Sequence, residues 1–425
     1  MGRGGMLCLG VFAVLAACKS LPPAPPEVSP ELIREIRDYL RAPNEDKDRL
    51  VQPFIEQPLA QLEAGLRQVL NGPFDRSVPI GMLPGQPIQV EGHEMRYGLY
   101  VPLTYTPSRS YPLVICLHGA GFDGDTYLDR WQPRLGEDYL LACPSIDLGA
   151  WWTREGEELV LAVLSEVSRK YRVDSDRVFL TGMSNGGIGT YLIGLNHPDR
   201  FAALVPMAAA LPPDLFPLLE NAKNLPFYII HGAQDQVMPV QYSREVVDYL
   251  RNRGQSVIYR EHERVHPMAG GHFFPREELP DLLEWLSGQA RRPVPRELVV
   301  VRDRDHPGQS YWVRIDEIES GVGSFWESEH DPAESQRLQQ GRYARLTAKI
   351  VDQTFWVTTE RITRFSLLLN RDLVNFERPI RVVVNDQEKF NGPVKPDSRT
   401  LMEEARKRPD PHPLILASVQ IDVQN

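Results

Sequence analysis

Apolar residues fill positions 6 to 17 almost without interruption, as "MLCLGVFAVLAA". A run this short cannot span a bilayer but suits the apolar core of a secretory signal, with Arg3 and the amino terminus supplying the positive charge before it. The proline-rich "SLPPAPPEVSP" that follows predicts an extended spacer. From Ser29 the spacing changes: apolar residues recur at three and four in "LIREIRDYL" and again in "LAQLEAGLRQVL". With Ser29-Pro30-Glu31 as a start signal, the pattern predicts a small helical extension packing on the main domain.

From about residue 75 to 290, short apolar runs alternate with amphipathic stretches. "EMRYGLYVPL", "YPLVICLHGAG", "YLLACPS", "RVFLTG", "FAALVPMAA", "LPFYIIHGAQD" and "SVIYREHE" read as strands. "EGEELVLAVLSEVSRKY", "SREVVDYLRNRG" and "LPDLLEWLSGQA" read as helices. Strands separated this way predict an α/β fold with a mostly parallel, doubly wound sheet covered on both faces. After the linker-like "RRPVPREL" the strands become closely spaced, with Asp, Asn and Gly turns, which predicts an antiparallel β-sandwich-like domain. The expected division is a signal over 1–18, a tether and helical extension over 19–72, an α/β domain over 73–290 and the β domain over 291–425.

The formal net charge of −10 over 425 residues, with no long Lys or Arg run, argues against nucleic acid as a partner. Four cysteines are present. Cys8 falls in the signal, and Leu15-Ala16-Ala17-Cys18 resembles a bacterial lipobox, which implies lipidation of Cys18 and a membrane-anchored, exported protein; an ordinary signal peptide is the alternative. Cys116 and Cys143 sit in strand-like runs, either as a disulfide or as buried free thiols. No Cys/His spacing suggests a zinc site, and no cofactor or metal is expected.

The chemistry centres on "VFLTGMSNGGIGT". Chance alone places a G-x-S-x-G in roughly one chain in seven of this length, so the serine needs partners. A nucleophilic serine must be lifted out of a tight strand-to-helix turn, where small flanking residues are obligatory. "RVFL" supplies the strand, and Gly182 and Gly186 supply the room around Ser184. In such folds the acid and then the base follow the nucleophile, each at the end of a later strand. Asp235, directly after "FYIIHG", and His272, in "PMAGGHFFP", meet that order; His266 and His262 are the competing bases. The Asn185 amide is the expected first oxyanion donor. Ala120, or Gly121, in "LHGAG" is the second, with His118 in a structural role.

These segments together resemble the serine esterases of the α/β-hydrolase superfamily, nearest the group of feruloyl esterases, polyhydroxybutyrate depolymerases and prolyl-oligopeptidase-like peptidases. "VDSDRVFLTGMSNGG", "HPDRFAALVPMAA", "LHGAG" and "HGAQDQVMPV" carry the likeness, over roughly residues 95 to 290. It implies metal-free ester hydrolysis by Ser184, Asp235 and His272 on a small-molecule or polymer-derived ester. The histidine loop "VHPMAGGHFF" is the least typical segment.

A peptidase of the prolyl-oligopeptidase type and a degenerate hydrolase serving as a binding protein are the alternatives. Too few residues precede the α/β region for a propeller, and no triad position is missing. Trp151 and Trp152 either border the pocket or dock a helix. Trp312, Trp326 and Trp356 read as core.

Overall fold

The computed structural model describes residues 26–42, 47–72, 74, 77–306 and 308–423. The signal-like segment and Cys18 lie outside the described residues. No helix among the described residues is long and apolar enough to cross a membrane.

The central strand β3 (Tyr111–Leu117) is buried at every position, and its two faces feed two different cores. Leu113, Ile115 and Leu117 point into one cluster with α5 (Arg154–Lys170), α6 (Asn185–Asn196) and α7 (Gln241–Asn252). Val114 and Cys116 point into the other, with α4 (Gly124–Leu135) and α8 (Leu279–Ser287). A continuous apolar run is what a strand covered on both faces requires. Around it lie β1 (Gly81–Val90), β2 (His93–Val101), β4 (Leu140–Ser145), β5 (Val173–Met183), β6 (Ala203–Met207), β7 (Phe227–Gly232) and β8 (Val257–His262). The eight strands run in the order β1-β2-β4-β3-β5-β6-β7-β8. β1 and β2 are antiparallel to their neighbours, and the other pairs are parallel.

β1 was not among the expected strands, because Gly81, Pro84, Gly85 and Pro87 break its apolar alternation. The strand accommodates them at a register shift between Leu83 and Gln86 and at the edge of the sheet, where a missing N–H is tolerated.

The carboxyl-terminal region holds two further sheets. One has the order β10-β11-β14-β17: β10 (Gln309–Ser310), β11 (Val313–Ile318), β14 (Ile362–Leu369) and β17 (Ala417–Asp422). The other has the order β16-β15-β13-β12-β9: β9 (Glu297–Arg302), β12 (Ala344–Val351), β13 (Thr354–Glu360), β15 (Ile380–Val384) and β16 (Gln387–Gly392). They share one core, in which Trp312 and Phe355 meet edge to face at 5.4 Å. The expected all-antiparallel pairing has one exception. β13 and β15 are parallel, because the intervening β14 crosses to the other sheet.

The helical extension departs from expectation in its partner. α1 (Pro30–Arg41), α2 (Lys47–Ile55) and α3 (Leu59–Leu70) bury Leu32, Ile36, Phe54, Leu62 and Leu66 against Leu401, Met402 and Ala405 of α9 (Ser398–Lys407). The extension thus packs on the carboxyl-terminal region and not on the eight-stranded sheet. An apolar stripe demands burial but does not say against what.

Candidate active site

Ser184 stands between β5 and α6 with φ 60° and ψ −124°, a left-handed conformation costly for any residue with a Cβ. The turn closes only because its neighbours lack side chains. A Cβ on Gly182 would lie 2.3 Å from the Gly186 carbonyl oxygen, and one on Gly186 would lie 2.0 Å from that of Leu117. The Ser184 amide donates to the Met207 carbonyl (3.0 Å), fixing the turn to the adjacent strand. Among the described residues the Ser184 hydroxyl makes no hydrogen bond.

The loop after β3 passes directly beside it. A Cβ on Gly119 would sit 3.4 Å from Ser184 Cβ. The Gly119 amide donates to the buried Tyr127 hydroxyl (3.1 Å), while the Ala120 amide has no acceptor among the described residues. Asn185 opens α6, where a backbone N–H has no intrahelical acceptor. Two free amides therefore flank the serine. His118 underpins this loop: its Nε2 accepts from the Ile146 amide (3.2 Å) and its Nδ1 donates to the Gly119 carbonyl (2.9 Å). Burial pushes the His118 pKa below the usual imidazole range, so it is a neutral structural group.

Trp151 is fully buried. Its indole N–H donates to the His118 carbonyl (2.8 Å), and its side chain fills the space a Cβ on Gly189 would need. Of the two readings open for it, the core reading holds. Trp152 is half-buried against the same core.

Asp235 follows β7 and His272 follows β8, and the structure brings the two together: His272 Nδ1 lies 2.7 Å from Asp235 Oδ2. The other carboxylate oxygen, Oδ1, accepts from the Val237 (2.8 Å) and Met238 (2.9 Å) amides. Burial pushes the Asp235 carboxyl up, but hydrogen bonds from His231, His272 and those two amides outweigh it, leaving its pKa well below the usual carboxylate range. An ionised acceptor on Nδ1 sets the His272 tautomer and leaves Nε2 as the nitrogen open to a reacting proton.

The competing histidines sit differently. His266 is exposed and closes a small turn with Gly270. His262 ends β8 with its ring against Phe273 and no side-chain hydrogen bond among the described residues.

Sequence reasoning did not single out His231, in β7. Its Nε2 lies 2.8 Å from the Met238 carbonyl and 3.4 Å from Asp235 Oδ2, and its Nδ1 lies 2.6 Å from Ser243 Oγ. The only signal was a polar residue in an otherwise apolar strand, four positions before an acid. Exposed apolar side chains on the same loops were also unforeseen: Phe122 after β3, Leu148 after β4, Val237 after β7, and Val265 and Met268 after β8. Leu148 is 76% exposed at φ 55°, and its carbonyl accepts from the Asn185 side chain (3.0 Å).

Cys116 and Cys143 are both buried and free, on neighbouring strands. Among the described residues, no group of three or more His, Cys, Asp or Glu side chains could hold a metal ion.

The sheet order, the strand-to-helix elbow and the loops at the carboxyl ends of the strands are those of an α/β-hydrolase. Residues 154–288 match the Phospholipase/Carboxylesterase family. A bifunctional acetylxylan esterase/xylanase of Neocallimastix patriciarum is 26% identical over 161 residues, 36% of this chain and 23% of that protein. Feruloyl esterase D of Neurospora crassa is 23% identical over 199 residues, 43% of this chain and 67% of that protein. Of the solved structures, a thermostable esterase is 25% identical, with a TM-score of 0.42 over 49% of this chain and 63% of its own. The chain thus spans about a quarter of the first curated relative and two thirds of the second.

Proposed function

We propose that this chain is a serine hydrolase of carboxylic esters. Ser184 is the nucleophile, His272 the general base, Asp235 the acid that orients it, and the Asn185 and Ala120 amides the oxyanion donors. The observation that carries this reading is the 2.7 Å contact between Asp235 and His272, in loops at the same end of the sheet as the strained Ser184 turn.

Ser184 Oγ attacks the ester carbonyl while His272 Nε2 takes its proton. The developing oxyanion is held by the two amides, each lowering the barrier by on the order of 3 kcal/mol. As the tetrahedral intermediate collapses, His272 returns the proton to the alcohol oxygen and an acyl-serine forms. Water, deprotonated by the same imidazole, then releases the acid. Phe122, Leu148, Val237 and Met268 supply apolar surface for a substrate with a bulky apolar half.

The test is hydrolysis of a series of p-nitrophenyl and feruloyl esters by the wild type and Ser184→Ala. Activity that vanishes in the variant is expected. Equal rates, or no turnover of any ester by the wild type, overturn the reading. We also propose that the chain is exported and anchored through a lipid on Cys18, held off the membrane by the proline-rich spacer. Labelling with a fatty-acid analogue that survives Cys18→Ala would refute the anchor.

A further inference from the structure

The acid of the site serves two histidines. Asp235 Oδ2 accepts from His272 Nδ1 at 2.7 Å and has His231 Nε2 at 3.4 Å, while Oδ1 is occupied by two backbone amides. His231 is not a base in waiting, since its side chain has no exposure and neither ring nitrogen is free. The Met238 carbonyl can only accept, so Nε2 carries the proton. Nδ1 lies 2.6 Å from the Ser243 hydroxyl of α7, which also reaches the Ala209 carbonyl (3.5 Å). One imidazole edge therefore ties together the helix after the acid loop, the loop carbonyl and the carboxylate.

We infer that His231 is a positioning residue: it fixes the Asp235 carboxylate in the rotamer that receives His272, and it shares the negative charge of Oδ2. This rests on reading Asp235 and His272 as the acid–base pair. The acid loop is thereby fastened to α7, while the Gly271 amide donates across to it from the His272 loop, to the Gln234 carbonyl (3.0 Å). The Gly232 and Gly271 backbones are already in contact there, with room for no side chain on either. Small errors in the aim of a catalytic carboxylate are transmitted directly to the imidazole it holds.

The shared oxygen gives the idea a signature. His231 Nε2, 3.4 Å from Oδ2, stands beside the same oxygen that receives His272 Nδ1. Removing His231 therefore lowers kcat by loosening the aim and moves the acidic limb of the kcat/KM profile to higher pH. The ionisable groups facing His231 are Asp235 on its own loop and Glu261 and His262 on β8, with His272 beyond Asp235.

The test uses the full chain, with kcat referred to active serines counted by a fluorophosphonate titrant, so that loss of folded protein does not enter. His231→Leu is expected to lower kcat by about 10- to 100-fold, with KM within about two-fold of wild type and the acidic limb raised. His231→Gln, which keeps a donor near Nε2, should restore most of the rate. Ser243→Ala, which removes the hydroxyl beside Nδ1, should move kcat and the limb in the same directions by less. If His231→Leu does not fold, the glutamine and Ser243 variants decide between them.

Wild-type kcat per titrated serine and an unmoved acidic limb in these variants would overturn the positioning role. Failure of the site reading itself looks different. The fluorophosphonate would then not label the wild type, or Ser184→Ala would remain active.

Discussion

Two buried histidine–carboxylate clusters can be set side by side in this molecule. One lies at the carboxyl ends of β7 and β8, where His272 meets Asp235. The other lies where the carboxyl-terminal region meets α5: His306 Nδ1 is 2.9 Å from Asp303, its Nε2 is 3.3 Å from Glu157, and Glu157 also holds His197 at 3.0 Å. The side chains are alike and the chemistry is opposite. His306 has a carboxylate on each nitrogen. Burial opposes its charge, but Asp303 and Glu157 prevail and push its pKa up to about 10, so it is a fixed cation. His272 has one carboxylate and one nitrogen without a protein partner among the described residues. A proton can move only where a nitrogen is left open. The His306 cluster fastens two regions together, and the His272 cluster leaves a nitrogen open for the proposed chemistry.

The sharpest way to separate them is to remove one residue from each. Ser184→Ala should lower ester turnover by about a million-fold, as loss of a triad member does, while leaving the thermal midpoint near that of the wild type. His306→Leu should do the reverse. It leaves Asp303 buried without its cation and Glu157 with His197 alone, which costs roughly 3–5 kcal/mol of stability in thermal or urea unfolding. Turnover per titrated serine should stay unchanged.

The pH dependence of the two clusters runs in different windows. A raised pKa in the folded state means that the His306 contribution is complete below the unfolded value of about 6.5 and fades as pH climbs toward about 10. Wild-type stability should therefore decline over that interval, and the decline should be blunted in His306→Leu. Asp235, held well below the usual range, contributes above the ordinary carboxylate pKa and is lost only in strong acid.

The contrast between the clusters also explains what the chain revealed before folding. Alternation of apolar strands and amphipathic helices was enough for the doubly wound sheet, because periodicity reports directly which face is buried. Ser184, Asp235 and His272 stood out as candidates because each follows its own strand in the order such a fold requires, and the structure brings the last two together. His231 was not, because a histidine inside a strand reads as a packed core residue until its hydrogen bonds are known. The fastening cluster was invisible for a related reason: Glu157 and His306 are about 150 positions apart, and nothing local marks their meeting. Nor could spacing assign the helical extension to α9, since any apolar stripe would have served as its partner.

A smaller effect is expected between the two clusters' extremes, at the support of the oxyanion loop. Tyr127→Phe removes the hydroxyl that accepts the Gly119 amide, leaving a buried donor unsatisfied at a cost of about 1–3 kcal/mol. Because Gly119 abuts Ser184, turnover per titrated serine should fall as well. Burial pushes that phenol up to about 12, so it remains protonated through the working pH range and the effect should be independent of pH below that value. Unfolding curves and rates measured at pH 6 and pH 9 check both halves.

The smallest expected effect concerns specificity. Leu148 holds an unfavourable left-handed backbone and a largely exposed apolar side chain, one hydrogen bond away from Asn185. An exposed leucine at such a position contributes nothing to the core, and in the proposed site it would face the bound substrate. Contact with an apolar acyl or alcohol group is worth about 1–3 kcal/mol in such pockets. Leu148→Ser keeps the loop carbonyl that Asn185 binds and removes only the apolar surface. The ratio of kcat/KM for a long-chain or aromatic ester to that for the acetate should fall by about ten-fold, with the acetate rate unchanged. A ratio that stays constant along the ester series would mean that Leu148 points away from the bound substrate, and that the apolar half of the ester rests on Phe122, Val237 or Met268 instead.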